Sequence, residues 1–360
     1  MSWRPPGGER VPVAVLGATG VVGQRIVQLL ADHPWFEPVA LAASDRSAGR
    51  CYAEACVWHP PEPMPEAVRR LPVVVPEELP PVPLAFSALD AATARRLEPA
   101  LAAAGTVVVS NASSHRMDAD VPLIVPEVNA DHLALLDVQR RSRGWSGALV
   151  TNPNCSVAAL VLALAPLQLR FGLLSVHIAT LQALSGAGYP GTAALDAMAN
   201  VLPRIPGEEE KIETETGKIL GRLRNGAVEP LAAVVTAQAT RVPVVDGHTA
   251  LVFMRLDGAV DVEEVREALA GFRAHPQELG LPSAPARPIV VLDDPDRPQP
   301  RLDVGHEGGM AAVVGRLRPC PAGGFKLVLL GHNTMRGAAG AALLNAELLL
   351  AEGRWPAATR

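Results

Sequence analysis

The residue best suited to covalent chemistry is Cys155, in TNPNCS at 151–156. There a turn bearing Pro and Asn meets the start of an apolar helical run, and a helix N-terminus favours a thiolate. That dipole is worth at most about 2 kcal/mol, about one pKa unit from a start near 8.5, so a basic partner is still required. ATRVPVVDGHTA (239–250) offers one, with Arg241 and His248 seven apart across a Pro and an Asp-Gly turn. A thiol nucleophile, an imidazole general base and a guanidinium fork for a carboxylate or phosphate together suit nucleophilic catalysis on an anionic substrate. Taken singly each signal is bland: a lone cysteine is often a small buried hydrophobe, and nine histidines are scattered along the chain.

A second chemistry is nucleotide binding. GATGVVG runs from Gly17 to Gly23 and contains Thr19, Gly20, Val21 and Val22. It lies between a strand pattern and an amphipathic helix, where glycines let backbone N–H groups approach a pyrophosphate. The spacing is GxxGxxG rather than GxGxxG. The end of the next strand reads Ser44-Asp45-Arg46-Ser47. Asp45 suits a ribose 2′-OH, while Arg46 with Ser44 and Ser47 suits a 2′-phosphate, so these residues alone leave NAD and NADP evenly matched. SNASSHRM (110–117) follows another strand and places Asn111 and Arg116 where an oxyanion could sit. GEEEKIETETGKIL (207–220) reads by itself as a solvated acidic helix face.

These residues need a scaffold of two kinds. Over the first 150 residues β-branched runs alternate with helical stretches: strands at 11–18, 38–44, 84–89 and 106–112, a VVV strand in a Pro-rich loop, and a helix over 20–32. This alternation predicts a doubly wound parallel sheet of Rossmann type. After 148–154 a helix beginning near Cys155 leads into longer strands with few helices between the later ones, which suits a largely antiparallel sheet. The expected division is 11–154 plus the C-terminal helix 335–353 as a dinucleotide-binding domain, and 155–334 as an α+β catalytic and dimerisation domain. Residues 1–10 are expected to form a flexible tail.

Bulk properties agree with a globular α/β enzyme. The 360 residues are 49% hydrophobic and 19% charged, with a net charge of −5 and no Lys/Arg run. Nucleic acid and anionic membrane are therefore poor partners, although a local cationic pocket remains open. The longest apolar stretch, 157–167, is too short to span a bilayer. Cys51, Cys56, Cys155 and Cys320 show no metal-ligand spacing, so a cytoplasmic protein with free thiols and no metal is expected.

The motifs GATGVVGQR, LAASDRSAG, FSAL, SNASSHRMDADVPLIVPEVNADHL, TNPNCS, LQALSGAGYPG, EEEK, RVPVVDGHT, DRPQPRLD and GHNTMRGAAGAALLNAE span nearly the whole chain. Together they closely resemble the aspartate-semialdehyde dehydrogenase family, in its archaeal and fungal branch. The resemblance implies a Rossmann domain joined to a glyceraldehyde-phosphate-dehydrogenase-like second domain, in a homodimer or homotetramer. It implies Cys155 as acyl-thioester nucleophile, His248 as acid/base and Gln182 as the residue orienting substrate. Arg241 would take the α-carboxylate and Glu208 the amine. Asn111, Arg116 and Lys211 would form the phosphate site, with Asn154 beside them. Ser44, Arg46 and Ser47 match the family's 2′-phosphate pocket, which selects NADP with NAD as the weaker alternative. Ser87, Ser185, Gly186 and Asn333 would complete the cofactor site, Asn333 at the nicotinamide.

The implied reaction reduces aspartyl β-phosphate to aspartate β-semialdehyde, on the route to lysine, threonine, methionine and isoleucine. Cys155 displaces phosphate, NADPH reduces the thioester, and the hemithioacetal oxyanion takes a proton from His248. The rivals are a malonyl-CoA or succinyl-type reductase, N-acetylglutamyl-phosphate reductase, and, in another class, an inactive dinucleotide-binding paralogue. Assays with aspartate semialdehyde plus phosphate, against malonic or succinic semialdehyde plus CoA, separate the active alternatives.

Overall fold

Six short β-branched runs form parallel strands: β1 (Val11–Leu16), β2 (Phe36–Ala42), β3 (Val73–Val74), β4 (Leu84–Ser87), β5 (Val107–Ser110) and β6 (Ala148–Thr151). In this computed structural model, which describes residues 8–355, they pair in the order β3-β2-β1-β4-β5-β6. Residues 1–7 of the expected tail lie outside the described residues. The α/β expectation holds. Strand order reverses between β1 and β4, and ligands of such sheets bind in the crevice at the strands' carboxyl ends there. The alternate residues of β1 serve two cores. Val13 and Val15 pack with Ile26, Val27 and Leu30 of the helix Val21–Leu30, whereas Ala14 and Leu16 pack on the other face, where Leu101 is also seated.

Boundaries differ slightly from the sequence pattern. The second strand begins at Phe36 and ends at Ala42, because Ser44 opens a turn in which its carbonyl accepts from the Ser47 N–H at 2.8 Å. Gly17 takes φ +72°, and a Cβ there would lie 2.5 Å from the Ala88 carbonyl oxygen. A glycine is therefore obligatory where β1 turns towards the crevice.

The second sheet contains β7 (Leu173–Gln182), β10 (Val234–Arg241), β11 (His248–Leu256), β12 (Ile289–Leu292), β13 (Ala312–Pro319) and β14 (Phe325–Gly331). A small hairpin, β8 (Arg222–Arg224) with β9 (Ala227–Glu229), stands apart. The order is β10-β7-β11-β14-β13-β12. The expected, largely antiparallel arrangement needs correction: β10–β7 and β12–β13 are parallel, so the sheet is mixed. The long connection from β7 to β10 carries the helix Glu208–Ile219, and such a crossover returns the chain in its original direction.

This topology gathers side chains at one end of the sheet. Arg241, at the end of β10, pairs in register with Gln182, at the end of β7. His248 opens antiparallel β11 opposite Gly331, at the end of β14. The helix Cys155–Arg170 is buried from Val157 to Leu167 in this sheet's core. The apolar helix Gly340–Ala351 instead returns to the core of the first sheet. Among the described residues, no helix is long and apolar enough to cross a membrane.

Candidate active site

Cys155 is the first residue of its helix, where the Asn154 side chain caps the turn by accepting from the Ser156 N–H at 2.9 Å. The Cys155 Sγ lies 3.1 Å from His248 Nε2. On the far side of the ring, the Ala183 backbone N–H donates to Nδ1 at 3.1 Å. In a neutral imidazole one nitrogen donates and the other accepts, so this contact assigns the ring proton to Nε2, facing sulfur. Burial, reinforced by the Arg241 charge, lowers His248 to about 3 and keeps the ring neutral.

Burial also pushes the Cys155 thiol up to about 12, with the Glu208 charge acting in the same direction. Arg116 and Arg241 pull it down. Desolvation thus outweighs the helix dipole, in keeping with the reading that a helix terminus alone does not ionise this thiol. A Cβ on Gly186 would come within 2.8 Å of His248 Cε1 and 2.9 Å of Arg241 Nη1, so only glycine lets this loop lie against the pair.

Around the sulfur, Glu208 forms an anionic hub. Its carboxylate accepts from Asn154 Nδ2 at 2.9 and 3.1 Å, Lys211 Nζ at 3.0 Å and Gln182 Nε2 at 3.3 Å. Burial works to raise the carboxyl, but Lys211, Asn154 and Gln182 outweigh it and hold it below its ordinary value. Gln182 Oε1 is buried without a partner. Arg241 is buried and donates through Nη1 to the Ala183 carbonyl at 2.8 Å.

Arg116 donates to Glu215 Oε1 at 2.9 Å and to the Asn111 carbonyl at 2.7 Å, leaving Nε unpartnered. The Asn111 amide is itself engaged, donating to the Ser87 carbonyl and accepting from Asn152. Asn333 accepts from the Gly247 N–H at 2.9 Å and donates to Ser185 Oγ at 2.7 Å, which ties it to the residue preceding His248.

A cavity of about 650 Å³ joins many of these groups: Gly20, Val21 and Val22 on one side, Cys155, Arg116 and Lys211 on the other. Asn111, Asn154, Ser185, Gly186, Glu208 and Asn333 also line it. Gln182, Arg241 and His248 stand behind the wall through the contacts above. Ser44, Arg46 and Ser47 lie beyond it at the end of β2, with Ser44 and Arg46 exposed. Ser87 is buried at the end of β4. Among the described residues no group of three or more His, Cys, Asp or Glu is arranged to hold a metal.

The helix Glu208–Ile219 corrects the solvated-face reading, since Glu208, Glu215 and Lys218 are all buried. Glu215 and Lys218 were missed. The available signal was Ile212 and Ile219, seven apart, which mark an inward face that Glu208 and Glu215 share at the same spacing.

Residues 12–136 match the family "Semialdehyde dehydrogenase, NAD binding domain", and 164–336 match "Semialdehyde dehydrogenase, dimerisation domain". The aspartate-semialdehyde dehydrogenase of Methanothermobacter thermautotrophicus is 52% identical over 94% of this chain and 99% of its own length. That of Saccharomyces cerevisiae is 43% identical over 94% and 97%. The chain belongs to the aspartate-semialdehyde dehydrogenase family. A crystal structure of the Candida albicans family member with NADP superposes with a TM-score of 0.88 at 41% identity, covering 96% of this chain and 99% of that one.

The residues of this family member fit a dinucleotide. Gly17 allows the tight turn, and a Cβ on Gly23 would lie 2.2 Å from the Gly17 carbonyl oxygen, so the helix packs directly on the turn. The helix N-terminus at Gly20–Val22 opens into the same cavity as Cys155. The Gly20 N–H is spent on the Gly17 carbonyl at 3.0 Å, so the N–H groups of the first turn beyond it are the ones to attract a pyrophosphate.

Proposed function

We propose that this family member reduces aspartyl β-phosphate to aspartate β-semialdehyde with NADP, reversibly, through a thioester on Cys155. The observation carrying this reading is the single cavity that unites a dinucleotide turn, the Cys155 thiol and the cations Arg116 and Lys211. Residues 11–154 with 335–353 would bind the dinucleotide, and 155–334 would carry catalysis and dimerisation. Arg46, flanked by Ser44 and Ser47, would take the 2′-phosphate, which favours NADP over NAD. A cytoplasmic setting and a place in the synthesis of lysine, threonine, methionine and isoleucine accompany this activity.

In the reductive direction Arg241 holds the α-carboxylate, Glu208 the α-ammonium, and Gln182 the reacting carbonyl. Arg116 and Lys211 hold the phosphoryl group. The Cys155 sulfur bonds to the acyl carbon as the carbon–oxygen bond to phosphate breaks, and phosphate leaves carrying the thiol proton, because His248 Nε2 already holds its own; the one proton consumed overall restores the thiol after the carbon–sulfur bond breaks. Bound NADPH supplies hydride to the thioester carbonyl. His248 Nε2–H hydrogen-bonds the thiolate first and then the oxyanion of the tetrahedral adduct, whose collapse re-forms the carbonyl and breaks the carbon–sulfur bond. Without that donor, both anions would sit in a desolvated site with less stabilisation.

The second sheet's outward face supports a homodimer, with tetramers as a further assembly. Leu251 and Phe253 are 37% and 42% exposed there, beside Val328 in register with Leu251. Solvent-facing apolar strand residues of this kind suit a second copy. The deciding experiment is phosphate-dependent NADP reduction by aspartate semialdehyde. Activity is expected in the wild type and abolished in Cys155→Ala, with NADPH binding retained. Full activity in Cys155→Ala, or turnover only with malonic or succinic semialdehyde and CoA, would overturn the reading.

A further inference from the structure

Glu215 has no part in the reaction as just described, yet its carboxylate touches two pieces of the site at once. Oε1 accepts from Arg116 Nη1 at 2.9 Å, and Oε2 accepts from the Asn154 backbone N–H at 2.6 Å. The side chain is 2% exposed, so these contacts are its environment. One turn later, the Lys218 ammonium donates to the carbonyls of Arg116, Asp118 and Val121 at 2.7, 2.8 and 2.8 Å. A single helix thus grips the 116–121 loop and the residue before the nucleophile. Arg116 is further held through Nη2 by the Asn111 carbonyl, which leaves Nε as its unpartnered donor. Arg116 lines the cavity that holds Cys155, so a guanidinium pinned through Nη1 and Nη2 offers its remaining donors from a fixed position to an oxyanion there. Its rotamer freedom is already spent before a ligand arrives.

We infer that Glu215 is a positioning residue of the phosphate subsite, setting the Arg116 guanidinium relative to Cys155 by holding both from one carboxylate. The inference rests on the proposed role of Arg116 at phosphate. Glu215→Gln separates the two contacts, because the amide oxygen still accepts from the Asn154 N–H while its NH₂ faces the guanidinium. In the phosphorylating direction the KM for phosphate should rise at least about tenfold in Glu215→Gln, with the KM for semialdehyde moving less than about twofold. Glu215→Asp keeps the charge but is one methylene too short to span both partners, and should fall between. In a double-mutant cycle, Arg116→Ala with Glu215→Gln should show the phosphate KM of Arg116→Ala alone, because Glu215 acts through that arginine. A normal phosphate KM in both Glu215 variants, or effects that multiply in the cycle, overturns the inference alone. A normal phosphate KM in Arg116→Ala overturns the subsite itself, and the inference falls with it.

Discussion

Two substitutions at His248 distinguish its ring nitrogens. Asparagine places Oδ1 near the position of Nδ1, where it still accepts from the Ala183 N–H, but nothing then reaches sulfur. Glutamine places an amide N–H near the position of Nε2, which stands 3.1 Å from the Cys155 Sγ. If Nε2 is the protonated nitrogen, its bond to the thiolate is charge-assisted and worth about 1.5–3 kcal/mol, or about 10–150-fold in rate. Both variants should fall below wild type by about 10²–10⁴, with kcat of His248→Gln above that of His248→Asn by the smaller factor. The same energy should raise the thiol by about one to two pKa units in His248→Asn, slowing iodoacetamide alkylation at fixed pH by about 10–100-fold. The pH sign follows from the direction of the shift. A thiol pushed up to about 12 holds less thiolate at any lower pH, so alkylation of the ligand-free wild type should climb with pH and show no plateau near neutrality. Initial rates with semialdehyde, phosphate and NADP, together with alkylation followed by mass spectrometry, supply both readouts. Activity in His248→Asn equal to or above that of His248→Gln would refute the donor assignment, whereas a plateau near pH 7 would refute the raised thiol.

Arg46→Ala should raise the KM for NADP by about 10–150-fold and leave that for NAD nearly unchanged, as measured by initial rates with each cofactor; equal effects on both would remove Arg46 from the 2′-phosphate. Phe253→Glu places a charge on the exposed face of β11 and should shift the protein to monomer in light scattering after size exclusion, whereas an unchanged mass would move the interface elsewhere. Glu127→Gln strips one partner from a fully buried pair in which Arg336 bridges both carboxylate oxygens at 2.6 and 2.9 Å. Such a loss costs about 3–5 kcal/mol, or about 4–7 °C in Tm for a chain of this size, and a calorimetric shift below about 1 °C would show that the pair is not stabilising.

The elements that need only their neighbours were legible without a structure. Gly17 to Gly23 between a strand and a helix, and Cys155 after an Asn-Pro-Asn turn, are local patterns whose geometry follows from backbone sterics and capping. The roles expected of Gln182, Glu208 and Lys211 came from family resemblance, because no spacing links them to Cys155. The second sheet's parallel pairs escaped prediction because strand direction depends on where a long crossover lands. The acidic helix was misjudged because three charges in a short window look solvated until their partners, Asn154, Arg116 and the carbonyls of 116–121, are brought from roughly 50 to 100 residues away.

By itself, then, the sequence determined the β-branched runs and their helices, the turn that can receive a pyrophosphate, and the thiol, imidazole and guanidinium available for acyl chemistry. Only tertiary structure decided which nitrogen of His248 carries the proton, since the deciding donor is the backbone of Ala183, a group every residue but proline carries. It also decided the state of the thiol. Helix capping is a local effect of about one pKa unit, whereas burial and the charge of Glu208 act through space and raise Cys155 to about 12.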